Sequence, residues 1–105
     1  MGVHRITSEA AKYYAKRERI IGSSISVLGF ASEKIADLDK NMLEKLGDFA
    51  ASLLPHTPGY AGKMIPIIAR LLWALAGVKE KEFKFVPMEE IEKEVEKLKK
   101  EIGME

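Results

Sequence analysis

From Met64 to Val78 the chain is apolar around almost the whole circumference of a helix, with Lys63, Pro66, Arg70 and Gly77 forming only a narrow stripe. This feature leaves few ways to fold the protein. A helix with no polar face of its own belongs in the centre of a bundle or at an interface between copies. The stretch from Tyr60 is long enough to raise the question of a membrane span. Arg70 near its middle costs about 2.5–3.5 kcal/mol on the insertion scale, and Lys63 and Pro66 weaken the span further, so the reading is a buried helix of a soluble protein.

The rest of the chain must supply cover for that helix. At 105 residues it is read as a single helical domain, residues 1–105, able to bury roughly two-thirds of its unfolded surface without metal or disulfide. Cysteine is absent, which excludes disulfides, thiolate metal sites and cysteine nucleophiles and fits a cytoplasmic protein. Met1 to Arg5 lead into charged residues without an apolar core, so no secretory signal is expected. Ile6 stands where a myristoylation signal wants Ser or Thr. Lys and Glu number 13 each, Asn41 is the only Asn and Gln is absent, a bias like that of hyperthermophile proteins.

Four helical segments are expected, with no internal repeat. The first starts near Ser8 as N-cap and shows an apolar face of Tyr14, Ile21, Leu28 and Ile35, with Ile25 and Ala31 beside it. Gly22, Ser23, Ser24, Ser26 and Gly29 are poor helix formers in its middle, but one continuous helix is preferred to a break. Asp37, Asp39 and Asn41 provide turn and capping chemistry for a second helix, whose apolar face is Met42, Leu43, Leu46, Phe49, Leu53 and Leu54 and which Pro55 closes. Thr57 and Pro58 form an N-cap and N1 pair for the third helix, which Pro66 should kink or restart.

Glu82 to Val86 alternate like a strand, and a lone strand needs a partner, which another subunit can supply. The last helix runs from Pro87 at N1 to Gly103 at C′, with Glu89 and Glu90 in its first turn and Lys97, Lys99 and Lys100 toward its end. Met88, Ile91, Val95, Leu98 and Ile102 occupy coiled-coil a and d positions. Little more than two heptads are present, so docking onto the chain's own bundle is preferred to a coiled coil.

Chemistry is sparse. The net charge is +1, so no global field steers nucleic acid. Residues 1–21 carry five basic and two acidic side chains, and Lys12, Lys16 and Arg19 form a basic stripe flanked by Arg17, Tyr13 and Tyr14, the only candidate for phosphate contact. Asp37, Asp39 and Asn41 imitate the opening of a calcium loop and Asp48 falls at its twelfth position. Met42 replaces the required Gly, however, and helix capping explains the carboxylates more simply. Gly59 to Lys63 resemble the end of a phosphate loop, but Thr57 and Met64 occupy positions that need Gly and Ser or Thr. His56 is the one catalytic candidate worth naming, read in preference as a surface-turn histidine, and His4 is placed in a frayed tail. The serines at 23, 24 and 26 lack a nucleophile elbow.

The resulting expectation is an all-α helical bundle of about four helices, without cofactor or metal, acting as a self-associating protein-interaction module and most simply a homodimer. Ile65, Ile68, Leu72, Trp73, Leu75, Phe83 and Phe85 are its expected contact residues. Nucleic-acid binding through Lys12, Lys16 and Arg19 is the alternative, and an enzyme whose site is assembled from distant residues comes third.

Overall fold

The computed structural model describes residues 2–104, with side chains described from Glu9 onward. Among these residues the fold is all helical: α1 (Gly2–Glu33), α2 (Lys40–Ser52), α3 (Gly59–Ala76) and α4 (Met88–Glu101), with short 3-10 turns at Ile35–Asp37 and Leu54–His56. No strand forms among them, so the strand-like alternation at residues 82–86 is an extended strap between α3 and α4.

α1 is continuous through its glycines and serines. It already runs from Gly2, so Ser8 is an interior residue and not the expected N-cap, and the backbone of His4 is helical rather than frayed. The side chains of Ser8 and His4 lie outside the described residues. At 1.5 Å per residue α1 is about 48 Å long, most of the molecule's 55 Å long axis. Its buried face matches the expected one at Ala31 and differs elsewhere. Ile20, Ser24, Val27 and Ala31 are buried, whereas Tyr14 and Ile25 are exposed and Ile21, Leu28 and Ile35 only half-buried. α4 packs along α1, and the Ser24 hydroxyl is satisfied within its own helix by donating to the Ile20 carbonyl at 2.8 Å.

α2 starts where the capping chemistry placed it: Asp39 is the N-cap and its carboxylate accepts from the Met42 amide at 2.8 Å. α2 and α3 make the most extensive helix pairing in the molecule. The close approach depends on Gly47, where an added Cβ would lie 2.5 Å from Cδ1 of Trp73. α3 begins one residue later than expected, with Pro58 as N-cap, because the Thr57 hydroxyl donates back to the Leu53 carbonyl at 2.8 Å instead of capping. Pro66 stands inside an α3 that continues past it. Gly77 then ends the helix at φ +75°, and the Val78 amide reaches back to the Trp73 carbonyl at 3.0 Å in a Schellman closure.

α4 is capped by Pro87, one position off the expected N1, and closes at Gly103 as foreseen, with the Met104 amide bonded to the Lys99 carbonyl at 2.8 Å. Its seam of Met88, Ile91, Val95, Leu98 and Ile102 is buried in the chain's own core. Arg19 meets Glu92 near one end of the α1–α4 pair and Lys34 approaches Gly103 at the other, so these helices run parallel. Lys45 meets Glu101, making α2 antiparallel to α4, and Lys40 approaches Gly77, making it antiparallel to α3 as well.

Candidate functional site

Two surface features stand out once the core is assigned. The first is apolar. α1 and α3 run parallel and leave between them a groove of about 420 Å³ lined by Ile25, Leu28, Ile35, Met64, Ile68 and Leu71, among others. The groove opens onto a stripe on the outer face of α3 formed by Tyr60, Met64, Ile67, Leu71 and Leu75, which are 39% to 79% exposed. These five sit at successive three- and four-residue steps, so they line up along one side of the helix. The all-round apolar character of α3 therefore has two destinations. Ile65, Ala69, Leu72, Trp73 and Ala76 enter the core, and the stripe faces outward.

This divides the residues expected at an interface. Ile65, Leu72 and Trp73 are buried within the chain, which corrects the expectation that they are exposed. Ile68 is half-buried in the groove, Leu75 belongs to the exposed stripe, and Phe83 and Phe85 lie apart from it on the strap. Tyr60, Met64, Ile67 and Leu71 were missed. Helical periodicity could have grouped them, but it could not say which side of an all-apolar helix remains open.

The second feature is the strap, residues 78–87, which is pinned at three points. Lys81 pairs with Glu44 at 2.6 Å and Asp48 at 2.9 Å, and these carboxylates raise its pKa above the ordinary lysine value, Glu44 contributing most. The Phe83 ring stands edge-on to Trp73 at 5.5 Å between centroids. His56 donates from Nε2 to the Val86 carbonyl at 2.6 Å, with Phe85 against its ring at 5.4 Å. His56 is thus a buried latch rather than the surface-turn histidine expected. A cavity of about 540 Å³ lies beneath the strap beside Asp48, Ser52, Trp73 and Lys81. Three of its polar groups already serve one another, since Asp48 accepts from both Trp73 Nε1, at 2.9 Å, and Lys81.

The basic stripe of α1 is solvent-facing, but it is not a bare cationic surface. Glu92 of α4 lies 3.3 Å from Arg19 and 4.0 Å from Lys16, and Arg17 covers the Tyr14 ring at 5.0 Å. Lys12 is exposed further along the helix. Of the calcium-like carboxylates, Asp39 is committed to its cap and Asp48 to Trp73 and Lys81. Among the described residues no three His, Asp or Glu side chains converge on a metal-sized site. No helix there is long and apolar enough to cross a membrane.

An uncharacterized protein of Archaeoglobus fulgidus is 66% identical over 103 residues, a match that covers 98% of this chain and 95% of the relative. The chain belongs to that protein's family. No family model and no solved structure matches it.

Proposed function

We propose that this protein is a self-associating helical module whose contact surface is the outer stripe of α3 together with the groove beside α1. The observation that carries this reading is the continuity of the two. Tyr60, Met64, Ile67, Leu71 and Leu75 form one uncharged band that runs into the groove lined by Ile25, Leu28 and Ile68. Scattered surface apolar residues are ordinary, but a contiguous band of this length is characteristic of a contact surface.

The size of the band limits its contact with a second copy to a weak one. From Tyr60 to Leu75 it runs about 22 Å, and with the rim on α1 it is about two helix diameters wide. That footprint, before side-chain corrugation is added, is on the order of half the roughly 800 Å² per partner of a standard interface. Covering the five stripe residues and Ile25, all exposed in the single chain, contributes about 1 kcal/mol each, or about 12 kcal/mol over two subunits. Association costs about 4–15 kcal/mol, so the balance describes a weak dimer that dissociates on dilution.

Size exclusion coupled to light scattering over a wide concentration range tests this. The expected result is a mass that rises to twice the chain with concentration, and an Ile67→Glu variant that stays monomeric with unchanged helical circular dichroism. A monomeric mass at all concentrations would overturn it.

A further inference from the structure

We propose that the segment of α1 up to Arg19 is an arm that lies in the major groove of duplex DNA, a contact separate from the apolar surface of α3. From Glu9 to Arg19 every residue is exposed except Arg17, which is half-buried. The cause is the length of α1. Its neighbour α4 starts at Met88, and Glu92, four residues further on, reaches Arg19. Because the two helices run parallel, α4 begins level with about residue 15 of α1, and the part before it stands about 20 Å clear of the bundle. A helix about 10–12 Å across with every side free fits a groove about 12 Å wide. The major groove of duplex RNA is too narrow to admit it.

The chemistry of the arm selects a polyanion over an apolar partner. Between Glu9 and Arg19 the largest aliphatic side chain is alanine, so a surface that binds by burying apolar area gains little there. The same stretch carries Lys12, Lys16, Arg17 and Arg19 against Glu9 and Glu18. The chain's net charge of +1 conceals this separation, since residues 1–21 hold five basic and two acidic side chains and the remainder is net acidic. At 100° per residue, Lys12, Lys16 and Arg19 fall within about 60° of the helix circumference and can follow one phosphate backbone. Tyr13 and Tyr14, 55% and 52% exposed, bring hydroxyl donors to the other sides. Glu92 stands at the root of the arm, 3.3 Å from Arg19 and 4.0 Å from Lys16. All three side chains are exposed, and ion pairs in water hold weakly enough to exchange for phosphate.

Fluorescence anisotropy of a labelled DNA duplex, titrated with the full chain, tests the assignment. Four phosphate contacts predict an affinity that falls roughly 100-fold between about 50 and 200 mM salt. Replacing Lys12, Lys16, Arg17 and Arg19 together with Ala should abolish binding at low salt, with circular dichroism checking that the helices remain. Glu92→Gln should bind more tightly than the parent protein, because it frees two cations and removes a charge that repels phosphate. Ile67→Glu should bind DNA as a monomer, so failure of self-association and failure of the arm are separate results. No binding at low salt, or a fourfold Ala variant that binds as well as the parent, overturns the proposal. Equal affinity for duplex RNA or for anionic lipid vesicles overturns the groove assignment and reduces the arm to a general cationic surface.

Discussion

The Nε2 atom of His56 donates to the carbonyl oxygen of Val86 across 2.6 Å, joining positions 30 apart in the chain. It fastens the end of the strap to the turn between α2 and α3, just before α4 begins at Met88. The entry of α4 into the core therefore depends on a residue with no part in any helix seam.

Replacing His56 with Ala removes that bond and the ring that supports Phe85. A lost hydrogen bond at a partly buried carbonyl costs about 1–3 kcal/mol, and for a domain near this size each kcal/mol lowers Tm by about 4–8 °C. Thermal unfolding followed by circular dichroism measures the loss. Limited trypsin digestion should cut at Lys81 or Lys84 faster than in the parent protein, and equal cutting rates would show that the strap holds without its latch.

Gly47→Ala and Gly22→Ala are chemically the same change with opposite expected signs. At Gly47 the new methyl would sit 2.5 Å from Cδ1 and 2.7 Å from Nε1 of Trp73, so the indole must move and its bond to Asp48 is disturbed. The expected cost is about 1–3 kcal/mol for overpacking. At Gly22 nothing lies within 4 Å of the added carbon, and removing a helical glycine should stabilise by about 0.5–1 kcal/mol. Urea denaturation of both variants decides it, and a destabilised Gly22→Ala would reveal a close contact at that face of α1.

Lys81 sets the alkaline limit of the strap. Its folded pKa is raised, first by the hydrogen bond to Glu44 and then by Asp48, so the stability it contributes is fully present below the ordinary value of 10.5 and is lost as pH rises through the folded value. Emission of Trp73, the single tryptophan, should therefore change above about pH 10.5 as Phe83 loosens from the indole. Lys81→Arg should move the change to higher pH, because guanidinium stays charged. An identical transition in Lys81→Met would rule out this lysine as its origin.

Asp39→Ala should destabilise by about 1 kcal/mol through loss of the α2 cap, and Asp39→Ser should recover most of it. Because the Asp39 carboxylate is held by the Met42 amide and Asp48 by Trp73 and Lys81, titration calorimetry of the parent protein with calcium should show no binding in the micromolar range of sensor loops. Binding abolished by Asp39→Ala would instead assign these residues to a metal site.

Local chemistry made much of the helical framework legible. Asp39, Pro87 and Gly103 mark helix boundaries to within a residue, because capping and positive-φ requirements act over one or two turns and depend little on distant neighbours. The α4 seam was equally readable, since its apolar residues occupy a single face and every other face is charged, leaving only one side to bury.

What the sequence determined by itself is thus the set of helices, their punctuation and the need to bury α3. The tertiary structure alone decided which faces meet. α1 carries one apolar face through Tyr14, Ile21, Ile25 and Leu28 and another through Ile20, Val27 and Ala31, and periodicity cannot choose between them; the second is the one that the fold buried. α3 is apolar on every side, so the exposed stripe at Tyr60, Met64, Ile67, Leu71 and Leu75 is simply the side that α2 and α1 leave uncovered. His56 followed the same rule. A histidine in a turn is surface-exposed until a segment 30 residues away crosses over it, and burial is a property of the neighbours a residue acquires, which local sequence does not encode.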